Sequence, residues 1–283
     1  MTLTRTQVRD LLERHEIRPK RSLGQHFVVE PNTVRRITEL SGVGPGDRVV
    51  EIGPGLGCLT LALVEAGASV VAVEVDDVLA GVLAEVVAEF GDSDRVEVVH
   101  ADATEVDWPA LLGARADSGV RWTVVANLPY NVSVPIVCDL LDSAPVVRRL
   151  VVMVQKEVAQ RLVAGPGDEA YGLPSVKVAY HGISRIVGRV SPSVFLPRPK
   201  VDSALVEVVR RDVPAVEVDA EALFTLVRSG FGQRRKMLRR SLAGLLDETG
   251  IVAAGVDPTS RAEELDLSQW AALTAALNGE VAK

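Results

Sequence analysis

The chain is 283 residues long, 47% hydrophobic and only 4% aromatic, which allows one large domain plus a small one with a core built from Ala, Val and Leu. Its two cysteines, Cys58 and Cys138, and four scattered histidines exclude a disulfide framework and offer no paired metal-ligand spacing, so no metal is expected. No stretch approaches a membrane span and no N-terminal run has the pattern of a leader, which points to a soluble, cytoplasmic chain; the net charge of −7 argues against a nucleic-acid partner unless local clusters override the sum.

Residues 1–21 are polar and turn basic at Arg14, Arg18, Lys20 and Arg21, the pattern of a flexible basic arm. A helix is predicted from Pro31, with Val34, Ile37 and Leu40 on one face and Gly42 as its stop. Residues 49–52 read as a strand, Gly53-Pro54-Gly55-Leu56-Gly57 as the turn after it, and 59–65 as the next helix. A second strand, 70–73, ends at Glu74. Asp76 and Asp77 open a helix whose apolar positions, Val78, Leu79, Val82, Leu83, Val86 and Val87, follow the helical period. A third strand covers 96–99, with Asp102 just beyond it, and a fourth runs from Trp122 to Asn127. Residues 134–141 are predicted helical, 150–154 a fifth strand, and 157–163 a further helix.

Such alternation predicts an α/β fold with a mostly parallel sheet covered on both faces. Residues 183–190 and 204–209 are both β-rich with no long helix between them, and are expected to pair antiparallel at the sheet edge. Arg210-Arg211-Asp212-Val213-Pro214 marks a change of character, after which the pattern is all helical. The expected domains are an arm, 1–21, a sheet domain, 22–212, and a small helical C-terminal domain, 213–283.

The residues that carry chemistry collect at strand ends. Gly53, Gly55 and Gly57 occupy the first strand-to-helix turn, where glycine lets a ligand approach the backbone and the helix N-terminus favours negative charge. Position 58 is Cys, so the full dinucleotide fingerprint is not met, and a tight turn without a ligand has the same look. Glu74, after the second strand, can take both ribose hydroxyls, and Asp102, after the third, can accept from an adenine amino group. Each acid alone could simply cap the following segment. Together, at the carboxyl ends of consecutive strands, they describe an adenosine-bearing cofactor, and S-adenosylmethionine fits.

The fourth strand ends in Asn127-Leu128-Pro129-Tyr130. The exocyclic nitrogen of adenine is a poor nucleophile because its lone pair is delocalised into the ring. Two acceptors holding both N–H bonds would localise that pair. Asn127 offers its side-chain oxygen and Leu128 its carbonyl, which Pro129 biases to an extended setting. Tyr130 gives an unpaired or flipped base a face to stack on. For the tetrapeptide alone, a strand followed by a proline turn and a buried Tyr is an equal reading.

Over almost its whole length the chain resembles the ribosomal RNA adenine N6-dimethyltransferases, and within them the KsgA-type small-subunit enzymes. The resemblance rests on Leu23-Gly24-Gln25-His26-Phe27, Val50 to Gly57, Asn127 to Asn131, Gln155-Lys156-Glu157-Val158, Arg161 to Pro166, Ala170-Tyr171-Gly172, Phe195 to Ser203 and Gln233-Arg234-Arg235-Lys236. It implies a Rossmann-like class I S-adenosylmethionine-dependent methyltransferase sheet, mostly parallel with one antiparallel edge strand, and a small all-helical C-terminal domain. It also implies cofactor contacts at His26, Val28, Gly53, Gly55, Glu74, Asp102 and Asn127, with Tyr130 and Phe195 as aromatic clamps on the base. His26 stands where the family usually has Asn, and Val28 where Leu is common. The implied substrate is a pair of adjacent adenosines in a hairpin near the 3′ end of 16S ribosomal RNA, within a nearly assembled small-subunit precursor, and the enzyme is expected to be a monomer.

From Gln233 to Arg240 the helical period gathers Met237, Leu238, Leu242 and Leu245 on one side and Lys236, Arg239 and Arg240 on the other. With no acid between Arg228 and Arg240, this run is the better phosphate-contacting candidate, with Arg234 and Arg235 at its start and Lys20 and Arg21 in the arm as a second cluster. Three rival readings are a large-subunit methyltransferase conferring antibiotic resistance, a non-catalytic assembly factor, and a dehydrogenase. The stretches at Lys200 to Ser203 and Gln233 to Lys236 favour the small-subunit type. Intact Glu74, Asp102 and Asn127 favour catalysis.

Overall fold

The computed structural model describes residues 2–113 and 121–279; the side chain of Arg21 lies outside the described set. Two compact units emerge, one comprising Met1–Ala159 with Arg185–Arg210 and the other Gln160–Ser184 with Arg211–Lys283. Residues 160–184 therefore group with the helical C-terminal residues, which differs from the expected domain spanning 22–212. The reason is packing, since Tyr171, Val176 and Tyr180 share a core with Leu223, Leu238 and Trp270, and Tyr171 donates its hydroxyl to the Leu265 carbonyl at 3.0 Å.

In the first unit, the expected arm is largely a helix, α1 (Arg5–Arg14). Thr4 and Gln7 form a reciprocal capping box at its start, and Leu3, Val8 and Leu11 are buried in the main core. The spacing of Val8, Leu11 and Leu12 is that of an amphipathic helix, a signal hidden by the surrounding charge.

The main sheet has seven strands in the order β4-β3-β2-β5-β6-β9-β7. These are β2 (Arg48–Ile52), β3 (Ser69–Glu74), β4 (Val96–His100), β5 (Trp122–Asn127), β6 (Val147–Gln155), β7 (Gly182–Val190) and β9 (Ser203–Arg210). A second, two-stranded sheet pairs β1 (Phe27–Val28) with β8 (Phe195–Leu196). Strands β2 to β6 are mutually parallel where they pair, β9 runs antiparallel to β6, and β7 closes the edge beyond β9. Val49, Val50, Ile52 and Val70 to Val73 are all buried, as central parallel strands covered on both faces require.

Around the sheet lie α2 (Pro31–Ser41), α3 (Cys58–Glu65), α4 (Asp77–Phe90), α5 (Trp108–Gly113) and α6 (Ser133–Ser143), while α7 (Lys156–Val163) contains one division between the units. Helix α2 begins with Pro31 in its first turn and ends at Gly42, whose φ of +65° is the left-handed setting of a helix stop. Asp76 caps α4 by accepting from Val78 and Leu79 N–H, so it is the first of the two aspartates that starts this helix.

The second unit holds α8 (Leu173–His181), α9 (Ala220–Gly232), α10 (Leu238–Ser241), α11 (Glu248–Ala253) and α12 (Leu267–Leu277) around Trp270. The basic run departs from the single helix expected for it. Helix α9 stops at Gly232, residues 233–237 turn, and α10 restarts at Leu238. Leu238 and Leu242 are buried as expected, but Met237 and Leu245 are exposed. The cause is a competing set of partners: Leu238 N–H donates to Ser260 O and Arg239 N–H to Pro258 O, and Met237 bridges to Arg261. Among the described residues, no helix is long and apolar enough to cross a membrane.

Candidate active site

The carboxyl ends of β2, β3, β4 and β5 frame a cleft with about 850 Å³ of empty space, part of it open to solvent. Its lining brings together His26, Val28, Gly53, Gly55, Glu74, Asp102 and Asn127, the full set of residues expected to contact a cofactor. They arrive from four strand ends and from the segment ahead of α2, which explains why they are scattered over a hundred residues of sequence. A cleft at this edge is where open parallel sheets bind their ligands.

The glycine turn is shaped for close approach. Gly53 and Gly55 have φ of +68° and +57°, and a Cβ on Gly55 would sit 2.9 Å from the Phe27 ring. Glu74 is buried, with one carboxylate oxygen accepting from Gly55 N–H and the other from Asp76 N–H, each at 3.0 Å. Burial pushes its carboxyl above the ordinary range, while those two amides work in the opposite direction. A carboxylate offers about four acceptor directions, so it can hold these amides and still take a ligand hydroxyl. Asp102 uses one oxygen, Oδ1, to accept from Thr104 N–H and Oγ1 at 2.9 and 2.7 Å. It thus performs the capping role of a post-strand acid and leaves Oδ2 available to an amino donor. Two acids set for hydroxyl and amino donors, beside a backbone cradle, fit the adenosine half of S-adenosylmethionine.

Asn127 is oriented by a neighbour that permits one assignment only. Its Nδ2 donates to the His26 carbonyl at 2.9 Å, and since a carbonyl can only accept, Oδ1 is the atom turned to the other side. Leu128 is fixed by its own N–H, which donates to Met153 O at 3.1 Å on the adjacent strand. Tyr130 is half-buried, with its hydroxyl 2.6 Å from Ser203 Oγ and its ring stacked on His26 at a centroid distance of 5.5 Å. His26 is in turn held by a hydrogen bond between Nδ1 and Pro197 O at 2.7 Å. His26 is therefore a packed, hydrogen-bonded residue that meets both Asn127 and Tyr130.

Phe195 differs from its expected role. It is 1% exposed, because pairing of β8 with β1 places it opposite Val28 and draws its ring into the core. Of the two expected clamps, Tyr130 keeps accessible surface.

Several residues of the cleft carried no assigned role in the sequence. Glu51 lies in its floor, 1% exposed, accepting from Thr60 Oγ1 at 2.6 Å. Burial pushes its carboxyl up to about 8, against the Thr60 bond. The folded protein thus retains a proton that the unfolded chain loses near pH 4.5, so this group's stabilisation is complete below that pH and disappears as pH rises through about 8. The melting temperature is expected to fall between pH 5 and 8, and Glu51→Gln to flatten that fall and raise the value at pH 8 by several degrees, as each kcal/mol is about 2–4 °C for 150–250 residues. Parallel melting curves of the two proteins over that pH range would contradict this. Cys58, another lining residue, has its thiol pushed up to about 12 by burial and stays protonated.

Lys20 pairs with buried Asp76 at 2.8 Å, and Gln25 Nε2 donates to the same carboxylate at 3.1 Å. Lys20 thus ties the segment containing Gln25 and His26 to the start of α4, a structural duty the sequence did not suggest. In the second unit Arg234 is likewise committed, to Glu263 at 2.6 Å and to the Glu169 carbonyl. Arg239 approaches Glu248 at 3.9 Å. Arg235, Lys236 and Arg240 are exposed, and no side-chain partner of theirs occurs among the described residues.

A family model described as Ribosomal RNA adenine dimethylase matches residues 17–278. Among curated relatives, the Ribosomal RNA small subunit methyltransferase A of Kineococcus radiotolerans is 47% identical over 96% of this chain and 91% of its own length. The protein of the same name from Streptomyces avermitilis is 46% identical, covering 93% and 90% respectively. Among solved structures, a dimethyladenosine transferase from Plasmodium falciparum aligns with a TM-score of 0.72 over 90% of this chain and 98% of that one, at 23% identity, which speaks for the fold. The 23S rRNA methyltransferase ErmE aligns at 0.64 over 89% and 99%, with 25% identity.

Proposed function

This chain belongs to the ribosomal RNA adenine dimethylase family, and we propose that it converts two adjacent adenosines in the 3′-terminal hairpin of 16S ribosomal RNA to N6,N6-dimethyladenosine, late in assembly of the small subunit. It is an S-adenosylmethionine-dependent methyltransferase with a class I sheet. It acts in the cytoplasm as a monomer and without a metal. When bound, the cofactor supplies a methyl group made electrophilic by its sulfonium.

The chain's own residues do the rest. Glu74 would hold the ribose hydroxyls, Asp102 the adenine amino group, and the backbone at Gly53 and Gly55 the segment beside them. Asn127 Oδ1 and Leu128 O accept the two N–H bonds of the target amine, localise its lone pair and aim it at the cleft. Tyr130 stacks on the extruded base. Catalysis then comes from placement and from exclusion of water. The amine becomes acidic once alkylated, so no side chain is assigned as base. The carrying observation is the Asn127 Nδ2 bond to His26 O, which leaves the amide oxygen as the acceptor.

Incubation with methyl-labelled cofactor and separated small subunits, large subunits and DNA tests the substrate. Label is expected on small-subunit RNA. Label mainly on the large subunit would move the reading to a large-subunit enzyme, a reading that the 25% identity with the 23S rRNA methyltransferase ErmE supports less than the 46–47% with the small-subunit relatives supports the present one.

Arg235, Lys236 and Arg240 are the cations best placed to meet phosphates. Replacing all three with alanine is expected to weaken particle binding and to lower the slope of log K against log salt by about 2–3. An unchanged slope would remove this surface from the account.

A further inference from the structure

We propose that Ser203 is a positioning residue for methyl transfer, its buried hydroxyl fixing the tip of the Tyr130 ring so that the target base meets a face of set orientation. The inference rests on the reading of Tyr130 as the stacking residue. Ser203 opens β9 and lies opposite Gln155 in the antiparallel pairing with β6. The preceding residue is fixed too, since Asp202 O accepts from Lys156 N–H at 3.0 Å. Ser203 is 1% exposed, so its hydroxyl gives up water, and the partner that replaces water is the Tyr130 hydroxyl at 2.6 Å.

Tyr130 itself sits in the short turn between β5 and α6, where Val132 N–H donates to Pro129 O. That turn sets the position of its Cα but leaves the ring free to swing about two side-chain torsions. Ser203 removes that freedom at the tip, and the His26 ring limits it along one face. A buried hydroxyl on a strand needs a partner to replace water, and the Tyr130 hydroxyl is the one the structure gives it. The use of the Ser203 hydroxyl is to hold a second hydroxyl that the sheet cannot reach by itself. Displacements of about 1 Å at a reacting centre can cost roughly 100-fold in rate, so a loosened ring affects turnover and RNA recognition more than the cofactor cleft, whose lining includes neither Tyr130 nor Ser203 and which the ring meets through His26.

The test is a double-mutant cycle with Ser203→Ala, Tyr130→Phe and both together, measured on small-subunit particles below every variant's melting midpoint. Each single change is expected to lower kcat/KM by about 10- to 100-fold, with cofactor Kd within about twofold of the unaltered protein as neither residue lines the cleft. The double variant is expected to be no worse than the poorer single one, because both remove the same bond. Losses that multiply, a Ser203→Ala enzyme with unaltered kcat/KM, or a cofactor Kd that weakens in step with turnover would overturn the proposal. Tyr130→Ala separates the two ideas. Full activity there removes the stacking reading itself, whereas an inactive Tyr130→Ala beside an unaffected Ser203→Ala removes only the role of Ser203.

Discussion

Asn127→Ala is expected to reduce methyl transfer to small-subunit particles by roughly 100- to 1,000-fold, the range seen when one preorganised hydrogen-bonding group is removed from a reacting centre. Cofactor affinity is expected to stay within a few-fold. The two quantities part because Asn127 holds His26 O with its Nδ2 and, on the proposed reading, the target amine with its oxygen. Its Nδ2 bond to His26 O orients the group, and the loss of that bond leaves Glu74, Asp102 and the glycine turn untouched. On the proposed reading the oxygen serves the acceptor amine, and without it the lone pair stays in the ring. Isothermal titration with cofactor and single-turnover kinetics on particles measure both. Equal loss of binding and turnover would show that Asn127 serves the cofactor.

Glu74→Ala is expected to weaken cofactor binding by at least about 100-fold, a charged hydrogen bond being typically about 1.5–3 kcal/mol and two being lost here. Two buried amides, Gly55 N–H and Asp76 N–H, also lose the oxygens they donate to, so the turn that should meet the cofactor loosens as well. Glu74→Gln keeps one acceptor oxygen and is expected to fall between the two. Binding should also tighten as pH rises, since burial pushes the Glu74 carboxyl above its ordinary range and the ionised form is the better acceptor of ribose hydroxyls. Titrations at several pH values read both effects. A Glu74→Ala protein that binds cofactor normally would remove the ribose assignment.

Much of this site was legible in the sequence because strand ends announce themselves. The runs before Glu74 and Asn127 are mainly apolar and the one before Gly53 is broken only by Glu51, and a parallel sheet must deliver their last residues to one edge, where all three line the cleft. Less legible were features that depend on pairing between distant segments. Phe195 reads as a free aromatic until β8 pairs with β1, a two-residue match too short to leave a periodic pattern. Lys20 and Arg234 read as free cations until Asp76 and Glu263 reach them from 56 and 29 residues away. The basic run reads as a helix because its apolar spacing is right, but the backbone of residues 258–260 offers better partners at that point. The 160–184 segment follows the same rule, its place being set by aromatic packing on Leu223 and Trp270 that local sequence does not encode.

The central claim is that Asn127 Oδ1 and Leu128 O receive the target amine. A structure of the protein with a non-reactive cofactor analogue and an RNA hairpin carrying the unpaired adenosines tests it most directly. The account predicts the adenine N6 within about 2.6–3.2 Å of both oxygens, with the base lying along Tyr130. An amine that points away from Asn127, with its N–H bonds on other acceptors, would contradict it.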